Sequence, residues 1–251
     1  TSVAIGASAL LSQNFTTATN SFNTAVGFEA GYGMTTGVQN TLIGARAADA
    51  ITDADRNVGV GYNALGINTV GSRSVAVGTA ALSTQNPSTA TDMYNVAVGD
   101  DAGKLVTTGI QNTIIGGLAG DALTTGANNV AIGFEALSTE DGHGDNVAIG
   151  YRALKALNVG GDGFNTAVGY LAGTNMTTGL ENAVYGSFAG DALTDADYNV
   201  ALGGSALSND TLGSLSTAVG FGALGSQNFT TATNSFNTAV GYLAGNDITN
   251  G

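Results

Sequence analysis

The sequence predicts an all-β fold, a parallel β-roll or β-solenoid of stacked short turns, and three observations carry that prediction. First, a pentapeptide, [Asn/Ser]-x-[mostly Ala]-[apolar]-Gly, recurs fourteen times, closing at Gly6, Gly27, Gly44, Gly61, Gly78, Gly99, Gly116, Gly133, Gly150, Gly169, Gly186, Gly203, Gly220 and Gly241. Second, the gaps between these glycines are 21, 17, 17, 17, 21, 17, 17, 17, 19, 17, 17, 17 and 21 residues. A short, nearly fixed period means stacked supersecondary units, none large enough to bury a core alone. Third, the residues flanking the small centre of the motif are β-branched, which favours extended backbone.

With the motif glycine as position zero, each column has its own chemistry. Position −4 is Asn in eleven copies (Asn23, Asn40, Asn57, Asn95, Asn112, Asn129, Asn146, Asn165, Asn182, Asn199 and Asn237) and Ser in three (Ser2, Ser74 and Ser216). Stacking in register places Asn over Asn, so the amides are expected to form a hydrogen-bonded ladder along the turns. Position −3 is Val or Thr except at Ala183, and position −1 is Val or Ile except at Tyr185 and Leu202. Position −2 is Ala in ten copies, and position +3 is Ala in all fourteen. Glycine at zero permits positive φ or a close backbone approach where the turn bends. Turns about 4.8 Å apart give a rod about 60 Å long.

Neither face of this strand is polar. A strand that is apolar or small on both sides expects cover on both. One side fills the interior of the turn. The other leaves a stripe of about 800 Å², taken as four residues wide, which is more than a soluble monomer usually exposes. Small residues on that stripe suit close approach of neighbouring chains, so self-association is expected, with a three-fold bundle as the closed form of a fibre. On this reading Asp or Lys at Ala131 splits the assembly by burying an unpaired charge.

A slower rhythm runs over four turns. Gly27 to Gly99 spans 72 residues, Gly99 to Gly169 spans 70 and Gly169 to Gly241 spans 72. One turn in each block is bulky at −2 (Leu42, Ile114 and Val184) and small at +1 (Ala45, Gly117 and Ser187), where seven other copies carry Phe or Tyr. The expectation is that volume is exchanged between these columns in one packed interior. The longer turns add loops at Ser12–Phe22, Ser83–Tyr94, Lys155–Phe164 and Ser226–Phe236. Insertions in a solenoid map to one face, often the binding face, although they are also simply tolerated. Their aromatics Phe15, Phe22, Tyr94, Phe164, Phe229 and Phe236 are the candidate contacts.

The array reads as one continuous unit over residues 1–251. It opens inside a copy, stops in the loop after another, and holds the same sixteen residues at Ser12–Gly27 and Ser226–Gly241. This suggests a segment of a longer repetitive protein. Thirty-nine glycines with one proline, Pro87, exclude a collagen helix. No apolar run is long enough to insert in a membrane as a helix. With 19 acidic and 6 basic residues the net charge is −13, which disfavours nucleic acid and anionic membrane surfaces as partners.

No catalytic constellation is visible. The one histidine, His143, and the absence of cysteine provide no usual zinc site or triad. Thr52-Asp53-Ala54-Asp55 and Thr194-Asp195-Ala196-Asp197 resemble half of a calcium loop but lack its glycine and distal Glu, so no cofactor is expected beyond adventitious Ca²⁺. Asn14-Phe15-Thr16 and Asn228-Phe229-Thr230 match a glycan acceptor pattern.

The copies Ser2-Val3-Ala4-Ile5-Gly6, Asn129-Val130-Ala131-Ile132-Gly133 and Asn146-Val147-Ala148-Ile149-Gly150 resemble the head repeats of YadA-like trimeric autotransporter adhesins. Runs such as Asn165–Tyr170 and Asn237–Tyr242 also resemble repeats of phage tail fibres and bacterial surface fibres. The resemblance implies a left-handed parallel β-roll, three chains side by side, and a place outside the cell, on the cell surface or in a virion tail fibre. These turns are longer than the usual head repeat, and no neck, coiled-coil stalk or anchor is seen. Two functions stay open. One is a non-enzymatic attachment fibre that meets a host-surface protein or glycan. The other is a structural filament or spacer. Ice binding ranks behind both, because the Thr pairs form no continuous T-x-T array.

Overall fold

The computed structural model describes residues 1–250 and is a parallel β-solenoid of about fourteen turns. Among the described residues there is no helix, hence none long and apolar enough to cross a membrane. The chain falls into two compact units, Thr1–Ala127 and a second that begins at Asn128.

In the first unit the motif strands are Val3–Ile5, Thr24–Val26, Thr41–Ile43, Val58–Val60, Val75–Val77, Val96–Val98 and Thr113–Ile115, each paired in parallel with the next. In the second they are Val130–Ile132, Val147–Ile149, Thr166–Val168, Ala183–Tyr185, Val200–Leu202, Thr217–Val219 and Thr238–Val240. Every motif position lies on its own copy in the next turn. Val75 pairs with Val96 across a long turn as directly as Thr41 pairs with Val58 across a short one. The extra residues therefore leave the strand register untouched. In two of the three 21-residue turns, Gly78–Gly99 and Gly220–Gly241, they add small parallel pairs of their own, Gly71–Ser72 with Thr91–Asp92 and Gly213–Ser214 with Thr233–Asn234.

The motif glycine is required twice over. Its φ lies between 127° and 146° in all fourteen copies, a region that side chains avoid. A Cβ on Gly27 would also sit 2.4 Å from the carbonyl oxygen of Gly44, and one on Gly150 would sit 2.2 Å from that of Gly169. Glycine thus bends the chain and lets successive turns approach through bare backbone.

The strand parity is resolved in one direction. The small −2 residues point inward: Ala25, Ala76, Ala97, Ala131, Ala148 and Ala218 are fully buried, while residues at −3 and −1 are half-buried or exposed. This corrects the expected interface. Ala131 packs inside its own turn, and the branched residues Val130 and Ile132 face out. A charge at Ala131 therefore attacks the core of the chain before it reaches any assembly.

The interior is filled by an exchange different from the one anticipated. The +1 aromatics Phe28, Tyr62, Phe134 and Phe221 are about half exposed, so they cannot trade volume with the buried −2 column. Position +4 does so instead. Leu42 reaches into the space beside Gly31, where an added Cβ would meet its Cδ1 at 2.9 Å.

A second exchange links +4 with +7. Gly31, Ala48, Gly103, Gly120, Gly173 and Gly190 are followed three residues later by Met34, Ile51, Val106, Leu123, Met176 and Leu193. Leu65, Leu82, Leu137, Leu207 and Leu224 are instead followed by Asn68, Gln85, Glu140, Asp210 and Gln227, all five fully buried. The pair Leu154 and Leu157 departs from the pattern. The leucines at +4 hold left-handed backbone, with φ 47° at Leu154 and 55° at Leu65, which costs about 1–2 kcal/mol each. Complete burial of a leucine side chain contributes about 2–3 kcal/mol, enough to offset the strain.

Candidate functional site

The asparagine column is committed to holding turns together. In regular turns each Asn Oδ1 accepts the backbone N–H of the next Asn: Asn40 to Asn23, Asn57 to Asn40, Asn182 to Asn165 and Asn199 to Asn182, all at 2.9 Å. Each Nδ2 donates to a carbonyl fourteen residues on, as from Asn23 to Gly37 (2.7 Å), Asn112 to Gly126 (2.8 Å) and Asn129 to His143 (3.0 Å). Direct amide-to-amide bonds also occur but are longer, 3.3 Å from Asn112 to Asn95 and 3.4 Å from Asn165 to Asn146. The ladder thus alternates side chain with backbone more than it stacks amides. Ten of its asparagines are buried, and Asn237 is half-buried.

Serine interrupts this ladder, and an interior glutamine bridges the gap. Gln85 Oε1 accepts from Ser74 Oγ (3.1 Å) and from Asn95 Nδ2 (2.9 Å). Gln227 repeats the arrangement, donating to Ser216 Oγ (2.9 Å) and accepting from Asn237 Nδ2 (2.8 Å). Sequence reasoning noted the serines and missed their partners. The signal was present, since each Ser at −4 is followed eleven residues later by Gln: Ser2 and Gln13, Ser74 and Gln85, Ser216 and Gln227.

The long turns bring some of their candidate contacts to the surface and withdraw others. Phe22, Tyr94, Phe164 and Phe236 all stand at position −5, at the foot of a strand, and are 58%, 51%, 56% and 70% exposed. Tyr198 in a regular turn shares this column and exposure, and sequence reasoning passed over it. Phe229 requires correction. It is buried, its ring lies against Gly213, and its N–H donates to Asp210 Oδ1 at 2.9 Å, so it belongs to the core. Phe15 is half-buried.

A second aromatic line stands at +1 and +2. In the second unit Phe134, Tyr151, Tyr170 and Phe188 follow one another with ring centroids 5.9, 5.2 and 5.3 Å apart. The first two contacts are stacked, so those rings cover each other's faces and present edges to solvent. The Arg152 guanidinium lies over Tyr151 at 5.0 Å and bonds Glu135 at 2.7 Å. Lys155 and Arg152 together hold the Glu135 carboxyl below its usual range.

The acidic motifs serve the backbone. Asp55 Oδ1 accepts the Val38 N–H and Asp197 Oδ1 the Leu180 N–H, both at 2.8 Å, while Asp195 accepts the Thr178 hydroxyl. These bonds account for the position of both half-loops. Around His143, Glu140, Asp141 and the imidazole place ligand atoms within 4.8 Å of one another. Glu140 is fully buried and accepts the N–H groups of His143 (3.3 Å) and Val159 (3.4 Å). Burial pushes its carboxyl above the usual range.

No protein-family model, curated protein or solved structure matches the chain.

Proposed function

We propose that the chain is a non-enzymatic extracellular fibre segment, of a cell surface or a virion tail fibre, that acts in attachment through repeated weak contacts. The proposal includes a left-handed roll and copies bundled side by side, three chains together, as in the adhesin heads that its motifs resemble. The observation that carries it is the recurrence of one exposed aromatic, Phe22, Tyr94, Phe164 or Phe236, at the foot of each long turn. Rings with polar Asn, Thr and Ser neighbours suit glycans or protein surfaces. Repetition along one chain raises effective concentration where single contacts are weak. Replacing the four long loops by regular 17-residue turns, with the roll kept intact, is expected to abolish binding to the host surface. Undiminished binding would refute the adhesive role.

A spacer is the second reading, and the asparagine ladder favours it. The most repeated polar residues of the chain are spent on joining turns. Under that reading the same loop replacement leaves attachment unchanged and only rod length matters.

A further inference from the structure

We propose that Asn14 and Asn228 are glycan acceptors, each offering its side-chain amide to a sugar transferred from a diphosphate-activated donor. The inference is separate from the attachment reading, because here the long loops carry a sugar rather than meet one. Three observations support it.

The first is place. At position +8 Asn stands in the four long turns alone, as Asn14, Asn86, Asn158 and Asn228, while the other ten copies carry Thr except for Asp141. Each of the four donates its backbone N–H to a threonine carbonyl of the next turn, at 2.9, 3.0, 2.7 and 2.6 Å in that order. The corner is therefore fixed by a bond that leaves the amide out. Only Asn14-Phe15-Thr16 and Asn228-Phe229-Thr230 complete the acceptor pattern Asn-x-Ser/Thr. Asn86 is followed by Pro87, which the pattern excludes, and Asn158-Val159-Gly160 lacks the hydroxyl.

The second is presentation. Asn228 and Thr230 are exposed, and Phe229 between them is buried against Gly213. Asn14 and Thr16 are exposed on either side of half-buried Phe15. The middle ring anchors the tripeptide and turns outward the amide and the hydroxyl that a transferase must reach together.

The third is the state of the amide. Asn228 Oδ1 accepts the Thr211 hydroxyl at 3.3 Å, while among the described residues Nδ2 of Asn14 and of Asn228 donates to no partner. Two more tripeptides match the pattern, Asn175-Met176-Thr177 and Asn209-Asp210-Thr211, and in both the asparagine is exposed. There, however, Nδ2 is engaged: Asn175 donates to the Asp191 carbonyl at 2.8 Å and Asn209 to the Gly225 carbonyl at 2.7 Å. Transfer joins Nδ2 to the anomeric carbon and breaks the bond from that carbon to the diphosphate. The diphosphate leaves with the electron pair, and one Nδ2 proton passes to a base of the transferase. Oδ1 keeps its lone pairs, so the bond from Thr211 survives. At Asn175 and Asn209 the sugar would enter where Nδ2 faces the backbone of the next turn.

The test incubates the folded chain with an asparagine glycosyltransferase and UDP-glucose and reads each site by mass spectrometry of its peptides. Asn14 and Asn228 are expected to gain one hexose each, with occupancy at least tenfold above Asn175 and Asn209. Thr16→Ala and Thr230→Ala remove exposed hydroxyls and are expected to abolish the gain, each at its own asparagine. A folded chain that takes no hexose at Asn14 and Asn228 overturns the proposal. Equal occupancy at all four sites overturns the selection by the free amide.

A gain of site gives a second measurement. Gly160→Thr completes the pattern at Asn158, which is exposed beside buried Val159, and a Cβ at position 160 meets nothing within 4 Å. This variant is expected to keep its circular dichroism spectrum and to gain a hexose at Asn158. A folded Gly160→Thr chain that stays bare at Asn158 shows that place and pattern do not suffice and overturns the inference. Neither failure touches the attachment reading, which the loop replacement tests separately.

Discussion

The turn from Gly78 to Gly99 and the turn from Gly150 to Gly169 both carry extra residues, yet they treat the polar column in opposite ways. In the first, 21 residues long, Ser74 cannot reach the next strand, and buried Gln85 closes the gap from inside. In the second, 19 residues long, Asn146 keeps its place and accepts the Asn165 N–H at 3.1 Å, and the interior position holds Leu157. One solenoid thus admits two ways to satisfy the same backbone. A side chain bridges down the column, or a longer one reaches across the interior. The choice is made jointly at −4 and +7, so neither residue is interpretable alone.

The largest expected effect falls on the regular ladder. Asn182→Ala removes the acceptor of the Asn199 N–H and the donor to the Ala196 and Leu180 carbonyls, all inside the turn. Stranding these groups should cost about 3 kcal/mol, against about 1 kcal/mol for Ser216→Ala, which removes one hydroxyl. Urea unfolding of the two variants measures the difference. Equal losses would mean that the ladder does not carry the stability assigned to it.

Next comes the bridge. Gln85→Leu leaves Ser74 Oγ and Asn95 Nδ2 without their shared acceptor and should cost about 2 kcal/mol. Adding Ser74→Asn to that variant recreates the pairing of Asn with Leu seen at Asn146 and Leu157. It should return about 1 kcal/mol as coupling in a double-mutant cycle. Strict additivity would show that −4 and +7 are independent.

The architecture was legible because a solenoid writes its register into the period, and fourteen glycines mark it without ambiguity. The sides of the strand were not legible. Alternation normally separates inside from outside by polarity, and here Ala alternates with Val and Ile, so both sides read as core. The +1 aromatics were placed inside for the same reason, since size suggests burial until an exposed aromatic stack is seen. The exchange between +4 and +7 and the pairing of Ser with Gln were present in the residues. They lie after the strand, at positions where the residue type varies from turn to turn and only the pair of columns has a pattern. Phe229 and Phe22 shared one loop composition, and only the turn geometry separated the buried ring from the exposed one.

A smaller effect distinguishes the interior polar residues of the turns that precede the insertions. Asn68 at this position caps the Gly71 N–H as a neutral amide, while Glu140 caps the His143 N–H as a carboxyl raised by burial. A folded value above the unfolded one means that the folded chain binds the proton more tightly. The contribution of Glu140 to stability is therefore full below the unfolded carboxyl range and is lost as pH rises through the folded value. Glu140→Gln should remove this fall and raise the thermal midpoint at neutral pH, with no gain at low pH. Parallel midpoint profiles for both chains would show that Glu140 does not titrate differently on folding.

The smallest effect tests how much of each insertion is packed. The excursions of two of the 21-residue turns add the short strands Thr91–Asp92 and Thr233–Asn234, whereas the excursion of the 19-residue turn contains Gly160 and Gly161, where an added Cβ meets nothing within 4 Å. Neither glycine has the positive φ that would strain an alanine. Gly160→Ala and Gly161→Ala should therefore leave the folded chain unchanged and restrict the unfolded one, stabilising by about 0.5 kcal/mol each. Gly71→Ala, in the packed strand that pairs with Thr91, should do the opposite. Its Cβ would lie 2.6 Å from Asn68 Oδ1 and 3.0 Å from the Pro87 ring, disturbing the cap and the small sheet together. Opposite signs in chemical denaturation would establish that the 21-residue insertions are part of the folded core and the 19-residue one is an open loop. Destabilisation at all three glycines would show that the shorter insertion is held as firmly as the longer ones.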